Sequence, residues 1–153
     1  MEHNGFDMKQ TFLFIPLLLL IACSGAPQSR FTAAPSTISV GKPVVSADGS
    51  YTNLSPTELQ SKLAKKDFTF INVHIPFEGN IAGTDKSIVY SEIGQKLDQL
   101  PADKDAKIVL YCRSGRMSTE AAQTLLKLGY KNVFNLDGGM IAWKQAGFAV
   151  EDK

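Results

Sequence analysis

The sequence predicts an α/β domain whose sheet is parallel and covered by helices on both faces. Three observations predict it. Apolar, β-branched runs at residues 68–73, 107–111 and 133–136 have the composition and length of buried strands. Stretches with apolar residues at helical spacing stand between and after them, so that strand and helix alternate along the chain. Pro76, Gly79, Gly83, Pro101, Gly129 and the Asp137-Gly138-Gly139 triplet punctuate the boundaries.

The chain has 153 residues and a net charge of +1, enough for one domain with a real core and without the basic footprint of a nucleic-acid binder. Lys9 precedes an apolar run over residues 11–22 that Pro16 interrupts. The run is short for a transmembrane helix, which needs about 20 residues, and residues 1–22 read as a signal peptide. Met8 is a more usual start for such a signal than Met1. Leu20-Ile21-Ala22-Cys23 resembles the lipobox of bacterial lipoproteins. That resemblance implies cleavage before Cys23, acylation of Cys23, and a domain anchored by lipid to a membrane of the bacterial cell envelope, outside the cytoplasm. Ser24 after the cysteine suggests outer-membrane sorting in Gram-negative systems.

Cleavage leaves Cys112 as the single free thiol, so no internal disulfide forms. It also leaves His74 as the only histidine, too few ligands for a metal. Residues 23–50, rich in Ser, Ala, Pro, Gly and Thr, read as the lipidated cysteine and a flexible tether. Within it, Thr37-Ile38-Ser39-Val40 and Val44-Val45 have the character of a short edge strand.

The folded domain is expected over residues 51–153. Ser55-Pro56-Thr57-Glu58 supplies an N-cap, a first-turn proline and a capping-box glutamate for a helix ending near Lys66, with Leu59 and Leu63 facing the core. The strand at 68–73 follows, then a long loop from His74 to Ser87 and a brief extended piece at Ile88-Val89-Tyr90. Ile93, Leu97 and Leu100 predict a helix over residues 91–100. The strand at 107–111 leads into Cys112-Arg113-Ser114-Gly115-Arg116-Met117, and Ala121, Ala122, Leu125 and Leu126 mark the helix after it. The last strand, at 133–136, turns at Asp137-Gly138-Gly139 into a short helix containing Trp143.

Cys112 therefore stands where a strand ends and a helix begins, the edge of an α/β sheet at which ligands bind. A thiol is a nucleophile as thiolate, and helix N-termini and guanidinium groups favour that form. Arg113 and Arg116 flank the sulfur in sequence, and Gly115 lets the loop turn and expose its amides. The pattern predicts an anion-binding cradle with a reactive sulfur at its floor.

Cys112-Arg113-Ser114-Gly115-Arg116, the helix end from Leu125 to Tyr130 and Asn135-Leu136-Asp137-Gly138-Gly139-Met140-Ile141-Ala142-Trp143 resemble the rhodanese-like sulfurtransferase family, over residues 54–150. The resemblance implies a small α/β domain around a parallel sheet of about five strands. It implies a six-residue loop, Cys112 to Met117, that cradles a small anionic sulfur donor. Cys112 would take the sulfane sulfur from thiosulfate or a persulfide, hold it as a persulfide, and pass it to a thiol or cyanide acceptor. No cofactor is needed. Arg113, Ser114, Gly115, Arg116 and Met117 would bind substrate, the two arginines attracting the donor and steadying the leaving sulfite.

The chain departs from the family at Asn72-Val73-His74, where Asp-Val-Arg is common, and at Asn80, where Glu-Gly-His-Ile-Pro-Gly has its histidine. His74 is either a structural hydrogen-bonding residue or a group near the site. A cysteine phosphatase needs Cys-x5-Arg, and Ser118 occupies that arginine position; a disulfide oxidoreductase needs Cys-x-x-Cys, and Gly115 occupies the second cysteine. The remaining alternative is a non-enzymatic, membrane-tethered module that carries persulfide or binds anions.

Overall fold

The computed structural model describes residues 40–151. The expected signal peptide, Cys23 and the strand expected at 37–39 lie outside the described residues. Strands β1 (Lys42–Ser46) and β2 (Gly49–Leu54) form an antiparallel hairpin that pairs Val44 with Tyr51. Helix α1 (Pro56–Leu63) is followed by β3 (Thr69–Asn72), β4 (Asn80–Ile81), β5 (Lys86–Ser87) and β6 (Lys107–Tyr111). Then come α2 (Arg116–Lys127), β7 (Asn132–Leu136), α3 (Gly139–Gln145) and β8 (Val150–Glu151).

The main sheet has six strands in the order β1-β2-β7-β6-β3-β5, parallel throughout except for the β1–β2 pair. β4 and β8 pair separately, antiparallel. This is the expected α/β architecture with one strand more. The added strand is β1 at the sheet edge, which contains Val44-Val45 as their strand character predicts, inside the stretch expected as a tether. Val44 packs against the core and Tyr51 is buried, so this segment is held by burial as well as by ladder bonds.

Side chains of β6 alternate between two cores, as the pleat requires. Ile108 and Leu110 cluster with Ala121, Ala122 and Leu125 of α2. Val109 and Tyr111 cluster with Leu59 of α1 and with Met140 and Trp143 of α3. The helices thus cover both faces, and β6, paired with β3 on one side and β7 on the other, is central.

The helix expected over residues 91–100 is absent. Two single 3-10 turns, Tyr90–Glu92 and Leu97–Gln99, replace it. Gly94 weakens a helix there by about 1 kcal/mol relative to alanine. A Cβ on Gly94 would lie 3.3 Å from Thr124 Cγ2 of α2, so the segment runs close against that helix. Ile93 and Leu100 are still buried, but Leu97 is exposed.

Helix α1 starts as its capping box dictates and ends at Leu63, before the expected Lys66. The Glu58 carboxylate accepts the Ser55 N–H at 2.8 Å, the Ser55 hydroxyl at 2.7 Å and the Gly41 N–H at 2.9 Å. It thereby ties the residue before β1 to the start of α1. These donors, the Ser55 N–H foremost, then the Ser55 hydroxyl and the Gly41 N–H, lower the Glu58 pKa. A carboxylate with a depressed folded pKa contributes stability above its unfolded value, about 4.3, and loses it as pH falls through the folded value. Ser55→Ala is expected to cost about 1 kcal/mol and a few degrees of Tm at pH 7. The gap between variant and wild type should narrow in thermal melts taken at about pH 3.

Candidate active site

Strand β6 delivers Cys112 at its carboxyl end, directly after the buried Tyr111. The chain then makes a short loop and enters α2 through Gly115, whose φ of 94° is left-handed and suits glycine. Cys112 is 1% exposed. Its sulfur is not in purely apolar packing: Sγ accepts the Gly115 N–H at 3.1 Å. The Ser118 hydroxyl lies 3.5 Å from Sγ and donates to the Gly115 carbonyl at 3.0 Å. At the start of α2, the N–H groups of Arg116, Met117 and Ser118 precede the first intrahelical acceptors. The sulfur thus sits at the positive end of a helix, with the Gly115 N–H directed at it and the Ser118 hydroxyl beside it.

The loop is clamped from the other side by α3. The Met140 N–H donates to the Cys112 carbonyl at 2.9 Å and the Ile141 N–H to the Arg113 carbonyl at 3.0 Å. Gly139 permits this approach. A Cβ there would fall 2.3 Å from the Cys112 carbonyl oxygen and 2.7 Å from the Arg113 carbonyl carbon, with φ at +58°. The Gly-Gly element and the cysteine loop, far apart in sequence, are two halves of one structure.

A buried polar network supports the same end of the sheet. Asn72 Nδ2 donates to the Gly79 carbonyl at 2.9 Å and to Asn80 Oδ1 at 3.0 Å, and Asn72 Oδ1 accepts the His74 N–H at 3.0 Å. The Tyr111 hydroxyl donates to Asn80 Oδ1 and accepts the Ile81 N–H, with Thr84 Oγ1 at 2.7 Å. Burial, the largest influence, raises the Tyr111 pKa and keeps the phenol protonated. The neutral amide of Asn72 thus ties the end of β3 to His74, Gly79 and Asn80.

The two arginines end on carboxylates instead of wrapping the sulfur. Arg113 Nε lies 3.5 Å from Glu78 Oε2, and the other Glu78 oxygen lies 3.5 Å from His74 Nε2. The His74 side chain is only 7% exposed, and neither ring nitrogen has a hydrogen-bond partner among the described residues. Arg116 Nη1 donates to Glu120 Oε1 at 2.6 Å, along the exposed face of α2. Ser114 is exposed and, with Gly115 and Arg116, lines a depression of about 360 Å³. Met117 turns its side chain onto the core cluster. A second groove, of about 370 Å³, is lined by Arg113, Glu78, Met140, Ile141, Lys144 and Gln145.

Sequence reasoning did not single out Ser118 as a partner of the sulfur, nor Glu78 as the partner of Arg113. Ser118 had a signal in its spacing, since it falls in the first turn of the helix that Cys112 precedes. Glu78 had none, because its loop is irregular.

A model of the rhodanese-like domain matches residues 55–146, more than half of the chain. The chain belongs to the rhodanese-like domain family. Among its relatives, a sulfurtransferase from Allochromatium vinosum is 42% identical over 55 residues, 36% of this chain and 50% of that protein. The probable adenylyltransferase/sulfurtransferase MoeZ of Mycobacterium tuberculosis is 35% identical over 97 residues, 59% of this chain and 24% of that protein. The chain thus matches half or less of the length of these relatives. The crystal structure of a rhodanese-related protein from Thermoplasma volcanium superposes with a TM-score of 0.54 at 30% identity, covering 64% of this chain and 95% of that one. The rhodanese-like domain of an Anabaena protein, solved by NMR, has the same fold at 23% identity and a TM-score of 0.59.

Proposed function

We propose that this rhodanese-like domain is a sulfurtransferase in which Cys112 carries the transferred sulfur. The observation that carries the reading is the Cys112 sulfur accepting the Gly115 N–H at the start of α2, in a loop fixed by α3. The Cys112 thiolate attacks the outer sulfur of a sulfane donor. The donor's S–S bond breaks, and its electron pair departs with the leaving group, sulfite from thiosulfate or a thiolate from a persulfide. The resulting Cys112 persulfide is attacked at its outer sulfur by a thiol or cyanide, which leaves the Cys112 thiolate free again. The Gly115 N–H and the first-turn amides of α2 would hold the negative charge of the loaded persulfide.

Steady-state thiocyanate formation from cyanide, with thiosulfate or benzenethiosulfonate as donor, tests this reading. A Cys23→Ser chain, in which Cys112 is the one remaining thiol, should turn over many times with at least one donor. A persulfide carrier would load once and stall with the small acceptor, and that outcome would replace the enzyme by the carrier.

The lipobox-like Leu20-Ile21-Ala22-Cys23 supports a second element of the proposal, a lipid anchor at Cys23 that holds the domain in the cell envelope. In a bacterial host, labelled palmitate should enter the wild-type chain and not Cys23→Ala. Equal labelling of both, or of neither, would exclude the anchor.

A further inference from the structure

The groove beside the cysteine loop is not a plain cationic pocket. Of its lining residues three are charged: Arg113, Lys144 and Glu78. Lys144 makes no ion pair among the described residues. Arg113 does, with Glu78, whose other oxygen faces the buried His74 ring. Ile141, 42% exposed, adds apolar surface, whereas Met140 is buried beneath the groove. Ile75 and Phe77, on the stretch that carries Glu78, are exposed as well. The groove borders the cysteine loop through Arg113, the neighbour of Cys112 in sequence, and Met140, whose N–H holds the Cys112 carbonyl.

Resting on the sulfurtransferase reading, we infer that Glu78 is a specificity-determining residue that turns the site away from dianionic thiosulfate and towards monoanionic organic sulfane donors, the persulfides and thiosulfonates. Thiosulfate brings two negative charges and no apolar surface. To take the Arg113 guanidinium it must displace Glu78 or sit beside an uncancelled carboxylate. One additional negative charge at such a distance, in a half-solvated groove, is worth about tenfold in affinity. A monoanion with an organic body meets half that repulsion. It lays its body on Ile141 and keeps its single charge for the loop amides and Lys144. The transfer step is unchanged: the Cys112 thiolate takes the outer sulfur, the S–S bond breaks, and the electron pair leaves on a thiolate or a sulfinate.

The test compares thiosulfate and benzenethiosulfonate in steady state on the full chain, with cyanide as acceptor. Wild type should favour benzenethiosulfonate in kcat/KM. Glu78→Gln should raise the thiosulfate-to-benzenethiosulfonate ratio about tenfold, chiefly through a lower KM for thiosulfate. Adding Arg113→Gln to Glu78→Gln should remove most of that gain, because the freed guanidinium supplies it. A ratio that stays constant or falls in Glu78→Gln, or a wild type that favours thiosulfate, overturns the inference while leaving the sulfurtransferase intact. No turnover of either donor by wild type would instead overturn the sulfurtransferase reading, and this inference with it.

Discussion

Cys112→Ser should lower kcat/KM for sulfur transfer by at least about 10³-fold while leaving the fold in place. A serine hydroxyl is ionised far less readily than a thiol and forms no persulfide. Structurally the change is mild, because an oxygen at this position still accepts the Gly115 N–H and still neighbours the Ser118 hydroxyl. Stability should therefore shift by less than about 1.5 kcal/mol, which denaturant unfolding can read beside the assay. A domain that merely bound anions would keep its anion affinity in this variant. Loss of turnover together with an intact unfolding transition separates chemistry from architecture. If the serine variant kept a tenth of wild-type turnover, the sulfur would be reaching the acceptor by a route that bypasses Cys112.

Gly139→Ala should damage both the fold and turnover. The added methyl meets the Cys112 carbonyl oxygen and the Arg113 carbonyl group, both backbone atoms that cannot swing aside as a side chain does. The backbone there is also left-handed. Together these should cost about 2–4 kcal/mol in urea unfolding. Relieving the clash requires α3 to move off the loop, which weakens the Met140 and Ile141 bonds that fix it. A shift of about 1 Å at the nucleophile should lower kcat/KM by about 10²-fold. Gly147→Ala is the control. Gly147 is left-handed too, with a φ of 86°, but a Cβ there would meet nothing within 4 Å. It should cost about 1 kcal/mol and leave turnover close to wild type. Equal effects at the two glycines would mean that backbone conformation, and not contact with the loop, is what Gly139 provides.

Much of the fold was legible because its signals are local. The central strands announce themselves as unbroken apolar runs, since both faces of the sheet are covered. Helix α1 is written in Ser55-Pro56-Thr57-Glu58, and each of those residues has its expected partner or place. The β1–β2 hairpin was half legible. Val44-Val45 had strand character, and Asp48-Gly49 is a turn signal, but the Ser- and Pro-rich surroundings read as linker. The failure at residues 91–100 has the opposite cause. An apolar period was present, but Gly94 and close packing against α2 overrode it.

The site divides in the same way. A strand, a cysteine and a helix start are contiguous, so the position of Cys112 follows from the sequence alone. Which carboxylate an arginine reaches is a tertiary matter. Arg116 meets Glu120 one turn along its own helix, a pairing that spacing allows. Arg113 meets Glu78 across the mouth of the loop, and no local pattern encodes that. The reading of both arginines as free anion grips came from their nearness in sequence to the sulfur, whereas their guanidinium groups are directed by charge.

Sulfur transfer by this domain requires one sulfur atom to be accepted and released at one residue. Intact-mass analysis of the Cys23→Ser chain after exposure to a sulfane donor tests it most directly. The prediction is the gain of one sulfur atom, reversed by cyanide and absent when Cys112 is also replaced by serine. A mass gain that survives the loss of Cys112, or a wild-type thiol that takes up no sulfur from any donor, would contradict it.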